Sequence, residues 1–232
     1  SVIGIAHGIQ PLCSYHLGAE ERPVCHKFLT YGIRLAACFA AGFFVLCQVL
    51  AGAVVGYFAN LFPNDPPKFV VMEAEAADCL YQGALANDGK PRIVTGDLKT
   101  IMAGLACGEP NTISWDILRN HVSAFISCPD WVSAKGMRML SSPVKGDPRV
   151  VSGESGAVGM GVLDAIMCDD TYKELRDALE LDRHSRVLMF STAGNTDPEK
   201  YRRVVWDGEY PTNDHPQKHC RLNGPEANPT KI

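Results

Sequence analysis

Three stretches of this chain hold residue types that can meet a ligand. In the first, V-V-S-G-E-S-G-A-V-G (150–159), Val150 and Val151 favour a strand, Ser152-Gly153 is turn chemistry, and small and apolar residues then recur at helical spacing. A strand followed by a helix in this way delivers a helix N-terminus to the end of a sheet. There, free N–H groups and the positive end of the dipole meet a ligand, and glycines let it come near. Glu154, in the first turn, either satisfies the helix end or faces that ligand. The second stretch, S-T-A-G-N-T (191–196), follows the apolar run R-V-L-M-F-S (186–191). Hydroxyls and glycine at the C-terminal end of a strand in an open parallel sheet stand where ligands bind, although the same hydroxyls also serve as strand-end caps. The third, T-I-M-A-G-L-A-C-G-E-P-N (100–111), is too apolar for a solvated linker and too glycine-rich for a good helix. Such a segment lines a pocket or makes a tight interior crossing.

The elements that must position these residues follow from periodicity. Residues 35–64 carry no charge, and two readings stay open for them. A run of about 20 apolar residues reaches the length of a membrane helix. The alternative is a buried parallel strand over 39–47 followed by a helix over 50–62 ended by Pro63, with Gln48, Gly42, Gly52 and Gly56 arguing against one long span. Asn64-Asp65-Pro66-Pro67 is a loop, 68–73 a strand with an acidic end, and 74–83 a short helix. Helical turns over 115–120, a strand over 122–127 and an amphipathic helix over 130–140 come next. A solvent-facing helix over 171–181, a buried strand over 186–191 and a last helix from Asp197-Pro198 to Val205 complete the pattern. The alternation predicts an α/β sheet. Beyond Tyr210 the polar, Pro-, Asn- and His-rich composition predicts disorder.

With 232 residues, 46% of them hydrophobic, the chain can bury a substantial core, and a net charge of −4 gives no electrostatic case for nucleic acid. Nine cysteines, an odd number with no C-x-x-C pair, read as reduced thiols of a cytoplasmic protein. Cys25-His26 and His219-Cys220 are adjacent pairs, too close for an ordinary zinc site, so no metal is expected. The sequence starts at Ser1 without a basic segment before its first apolar run, which reads as a fragment or processed product lacking a cleavable signal peptide.

Several blocks in one order carry a resemblance: T-G-D-L-K-T-I-M-A-G-L-A-C-G-E-P-N (95–111), W-D-I-L-R-N (115–120), F-I-S-C (125–128), G-M-R-M-L (136–140), D-P-R-V-V-S-G-E-S-G-A-V-G (147–159), S-T-A-G-N-T-D (191–197) and Y-R-R-V-V-W (201–206). Over about residues 50–211 the chain resembles the C-terminal half of the diaminopropionate ammonia-lyases, fold-type II pyridoxal-phosphate enzymes. The resemblance implies a doubly wound, three-layer α/β large domain with a parallel sheet, and a homodimer. It also implies elimination of ammonia from 2,3-diaminopropionate to give pyruvate. It makes Thr192, with Ser191 as second choice, the hydroxyl that meets the pyridine nitrogen. Gly52 becomes a relic of the phosphate loop, Glu154, Ser155 and Gly156 border the cofactor, and Gly104, Ala106 and Cys107 form the pocket wall. Cys79 and Cys107 fall where the family also carries cysteines, which is compatible with a regulatory disulfide or with two buried thiols.

The departures are equally specific. The family's Schiff-base lysine stands in an Asn-Ala-Phe-Lys-like context, and no lysine here does; Lys27, in C-H-K-F, is the only one before Lys68. Where a glycine-rich phosphate loop is expected, only Val49 and Leu50 separate Gln48 from Ala51. Residues 1–47 do not resemble the family, 48–211 form the lyase part, and 212–232 form the tail. No catalytic residue is therefore assigned to this chain. It is expected not to turn over alone, with a non-catalytic remnant or a pseudoenzyme paired with an intact lyase as the alternative. A membrane-anchored protein using 35–62 is the third reading.

Overall fold

The computed structural model of the chain describes residues 22–212 and 221–223, with the side chains of Arg22, Cys25, Phe28, 35–51 and 221–223 left out. Helix α1 (Arg22–Leu61) is followed by β1 (Phe69–Ala74), α2 (Cys79–Ala86), α3 (Thr112–His121), β2 (Val122–Cys128), α4 (Asp130–Ser141) and α5 (Glu154–Cys168). Then come α6 (Lys173–Ala178), α7 (Pro198–Val205) and β3 (Arg221–Asn223). The chain divides into two compact units, Ser1–Val54 and Val55–Ile232.

In the first unit the described residues form one element, the greater part of α1. The strand that the second reading places over 39–47 does not form; those residues are helical. Ala, Leu and Phe dominate the stretch, and each interior glycine costs only about 1 kcal/mol relative to alanine, too little to break a 40-residue helix. It stops just before Pro63, which cannot continue it. Among the described residues no helix is long and apolar enough to cross a membrane.

The second unit is α/β. β1 and β2 run parallel, in register from Phe69 opposite Val122 to Ala74 opposite Cys128, and β3 adds to β2 in antiparallel sense. Thus Arg221–Asn223 forms a strand inside the tail whose composition predicts disorder, while the rest of the tail beyond residue 212 lies outside the described residues. Because side chains alternate across a strand, the sheet sends two sets of residues to two helical layers. Val70, Met72, Ala124 and Ile126 pack with Val132 and Met137 of α4 and with Ala157, Val158 and Val162 of α5. Phe69, Val71 and Phe125 face Tyr81 of α2 and Trp115 and Leu118 of α3. This is the doubly wound, three-layer arrangement of the fold-type II large domain.

Local chemistry sets the helix starts. Asn111 caps α3, its side chain accepting from Ile113 N and Ser114 N, both at 3.0 Å. Asp197 does the same for α7 through Lys200 N, with Pro198 in the first turn. α4 and α5 meet backbone to backbone. A Cβ on Gly136 would lie 2.1 Å from Ala157 O, and one on Gly161 would lie 2.0 Å from Val132 O. Only glycine lets the two backbones meet.

Two sequence expectations fail here. Residues 150–151 and 186–191 form no strand, although both runs are rich in β-branched and apolar residues. Among the described residues neither has a neighbouring strand, and a strand exists only through its pairing.

Candidate functional site

The first two ligand-competent stretches are brought together. The chain enters α5 through Ser152 and Gly153, and the 191–194 segment lies directly over this entrance. Gly153 N donates to Ala193 O at 2.8 Å. The Ser152 and Ser191 hydroxyls share a hydrogen bond of 2.7 Å. A Cβ on Gly156 would stand 2.5 Å from Ser191 Oγ and 2.6 Å from Ser152 Oγ, so glycine is required for this approach. Thr192 is exposed and, among the described residues, makes no hydrogen bond.

The third stretch joins from the other side. Gly104 N donates to Ser155 Oγ at 2.9 Å. Asp130, in the first turn of α4, holds the start of this loop by accepting from Thr100 Oγ1 and from Ile101 N at 3.2 Å. Glu154 is half-buried and paired with Lys200 Nζ at 3.2 Å, and the same ammonium reaches Ile101 O at 3.1 Å. Its carboxylate is therefore tied to α7 and to the loop. Ser133 Oγ donates to Glu154 O. Sequence reasoning missed Lys200 and Ser133, and read Ser152 only as turn chemistry at the helix entrance.

Ala106 and Cys107 lie further along the loop, where it meets a different cluster. Cys79 Sγ, at the start of α2, contacts Cys107 O at 3.4 Å and Glu73 Oε1 at 3.5 Å; both cysteines are free thiols. Glu73, at the end of β1, accepts from Leu80 N at 3.0 Å and Tyr81 N at 2.7 Å. Burial nevertheless pushes its carboxyl up to about 7, because desolvation outweighs those amide donors. Burial, and then the neighbouring Glu73 charge, also push the Cys79 thiol up, which keeps it protonated and unreactive. Gly52 lies in helical backbone within α1, in the first unit, and not in a phosphate-binding loop.

A cavity of about 230 Å³ opens at the carboxyl ends of β1 and β2, between Glu75, Lys99, Pro129, Trp131 and Tyr210. Asp130 also borders it, but none of the residues that the sequence singled out does.

A parallel sheet with helices on both faces, a glycine-rich helix entrance and a hydroxyl-bearing loop folded over it define a class, and comparison gives that class a name. The family profile "Pyridoxal-phosphate dependent enzyme" matches residues 48–192, more than half of the chain, and the chain belongs to that family. Within it, the chain is 49% identical over 159 residues to the diaminopropionate ammonia-lyase of Salmonella typhimurium, a match covering 68% of this chain and 39% of that protein. It is 46% identical over 161 residues to the Escherichia coli K12 enzyme of the same name, covering 69% and 40%. The holo Escherichia coli diaminopropionate ammonia-lyase structure superposes with a TM-score of 0.63 at 44% identity, covering 71% of this chain and 40% of that one. A second structure of that enzyme, in complex with an aminoacrylate-PLP azomethine reaction intermediate, gives 0.62 at 36% identity, covering 81% and 50%. The chain spans about two-fifths of the length of these curated relatives.

Proposed function

We propose that this chain is the part of a diaminopropionate ammonia-lyase that builds the sheet and the pyridine side of the cofactor site. The observation carrying this reading is the contact of 191–194 with the α5 entrance, in a chain matched over 159–161 residues at 46–49% identity to diaminopropionate ammonia-lyases. In the family the pyridoxal cofactor is the electron sink that makes the substrate Cα–H acidic. The residues here fit one side of that group. Thr192 is the better candidate to meet the pyridine nitrogen, because Ser191 Oγ is already engaged by Ser152 whereas the Thr192 hydroxyl is exposed. Gly156 supplies the close approach, and Ser155 pins the Gly104 loop as the neighbouring wall. Glu154 positions α7 and the loop through Lys200.

The phosphate side does not fit. Gly52 sits in a helix, and among the described residues no glycine-rich loop precedes it. No lysine stands in the family's Schiff-base context, so no step of the elimination is assigned to this chain's residues. The reading has two versions, a catalytic half completed by the rest of the lyase and, as the alternative, a non-catalytic partner of an intact lyase. The amino-acid substrate and homodimeric assembly belong to the proposal on the strength of the resemblance.

The test is to incubate the full chain with pyridoxal phosphate, fix any adduct with borohydride, map it by mass spectrometry, and assay pyruvate from 2,3-diaminopropionate. The expected outcome is label scattered over surface lysines and no pyruvate. A single modified lysine together with pyruvate release would overturn the reading that the chain does not turn over alone.

A further inference from the structure

The cavity of about 230 Å³ at the carboxyl ends of β1 and β2 contains none of the residues assigned to the cofactor side. Glu75 reaches it from the turn after β1, Asp130 and Trp131 from the start of α4, Lys99 from just before the 100–111 loop and Tyr210 from beyond α7. Ligands of open α/β sheets bind at such strand ends. Two of these residues are held firmly. Asp130 accepts from Thr100 Oγ1 and Ile101 N. Tyr210 has a φ of 57°, a left-handed conformation that bulky residues rarely adopt. Arg138 holds it there, donating from Nη2 to Tyr210 O at 3.2 Å and from Nη1 to Glu209 O and Val204 O, both at 3.1 Å. Arg203 Nε pairs with Glu209 Oε1 at 3.0 Å and steadies the same turn. A strained residue fixed by several neighbours is characteristic of ligand clamps.

The lining states what kind of molecule fits. The volume lies below the range of about 300–1,000 Å³ typical of drug-sized ligands, so the occupant is small. The walls carry both signs of charge. Lys99 brings an ammonium that has no ion-pair partner among the described residues, and Glu75 and Asp130 bring carboxylates. A purely anionic ligand would meet the two acids and a purely cationic one the ammonium, whereas a zwitterion complements both. Trp131 and Tyr210 add aromatic surface, which suits an apolar side chain and disfavours a second charge. We propose that this cavity binds a free α-amino acid with an aromatic or other apolar side chain. A diamino acid such as 2,3-diaminopropionate is the wrong occupant, because its second ammonium would lose water against the aromatic wall. The inference does not rest on the activity proposed above.

The experiment titrates the full chain with L-phenylalanine by ligand-detected NMR. Three further probes are run beside it: 3-phenylpropionate, which lacks the ammonium, 2-phenylethylamine, which lacks the carboxylate, and 2,3-diaminopropionate. The expected result is saturable binding of L-phenylalanine, with each of the other three at least about tenfold weaker, as the loss of a charged hydrogen bond or the burial of an unpaired charge requires. Lys99→Gln, at an exposed position, keeps the circular dichroism of the chain and weakens L-phenylalanine by at least about tenfold. Trp131→Ala weakens it as well; should that variant fail to fold, Lys99→Gln still decides. Absence of saturable L-phenylalanine binding would overturn the proposal, as would equal binding of 3-phenylpropionate or 2-phenylethylamine, or binding indifferent to Lys99→Gln. Preference for 2,3-diaminopropionate would also overturn it, assigning the cavity to the substrate of the lyase reading. None of these readouts uses pyridoxal phosphate or turnover, so they fail independently of the functional reading.

Discussion

β2, with V-S-A-F-I-S, and the 186–191 run, R-V-L-M-F-S, carry nearly the same signal of alternating β-branched, aromatic and aliphatic residues closed by serine. One became the centre of the sheet and the other an exposed, unpaired segment. Ala124, Ile126 and Cys128 are fully buried because β1 and β3 flank them and α4 and α5 cover them. Val187, Leu188 and Phe190 have α5 on one side and no strand beside them among the described residues. The difference teaches that strand propensity is a statement about fitting a half-buried pleated surface, and that the surface must be supplied by neighbours.

That comparison can be broken or sharpened by substitution. The largest effect belongs to the layer that buries β2. Gly161→Val would drive a side chain into Val132 backbone that already lies 2.0 Å from the Cβ position, and the expected result is loss of more than about 4 kcal/mol and an unfolded chain by circular dichroism. Ile126→Ala, in the strand itself, leaves a cavity at a fully buried site and is expected to cost about 4 kcal/mol in urea unfolding. A stable Ile126→Ala protein would mean that the sheet centre is as loose as the 186–191 run.

The third prediction concerns pH at the end of β1. The folded state holds the Glu73 proton more tightly than the unfolded chain, with the carboxyl raised from 4.5 to about 7. Its contribution is therefore fully present below pH 4.5 and is lost as pH rises through about 7, a change of about 3 kcal/mol. Glu73→Gln removes that dependence, so the stability difference between the two proteins should vary across this window and be flat above it. A constant difference would place Glu73 in a hydrated setting. The smallest effect is Leu188→Ala, which should change the stability of the free chain by less than about 0.5 kcal/mol, since the side chain is two-thirds exposed. A cost comparable to that of Ile126→Ala would show that 186–191 is part of the core after all.

Much of the fold was legible because it rests on local signals. The strands at 68–73 and 122–127, the helix at 130–140 and the helix opened by Asp197-Pro198 all lie within a few residues of their observed bounds. Their caps and periodicity act within one or two turns. The reading of 39–47 stayed open because an uncharged run looks the same as a buried strand and as a buried helix, and only the length of the element, here a helix continuous over 40 residues, separates them. At the site, Ser191, Glu154, Ser155, Gly156 and Gly104 were singled out as residue types suited to a helix entrance, a strand end and a pocket wall. Their mutual contacts, and the roles of Ser152, Ser133 and Lys200, depend on which loops cross.

Composition and order of residues by themselves determined an α/β chain, its family, the glycine-rich entrance to α5 and the absence of a lysine in the Schiff-base context. These are properties of neighbouring residues or of residue identity. Only the tertiary structure decided that the 191–194 loop folds over that entrance, that Glu154 is bound to Lys200, and that Cys107 faces the Glu73 cluster through Cys79. It also decided that two similar apolar runs have opposite fates. Each of these depends on which distant segment arrives to satisfy hydrogen bonds and exclude water, and no local pattern encodes that.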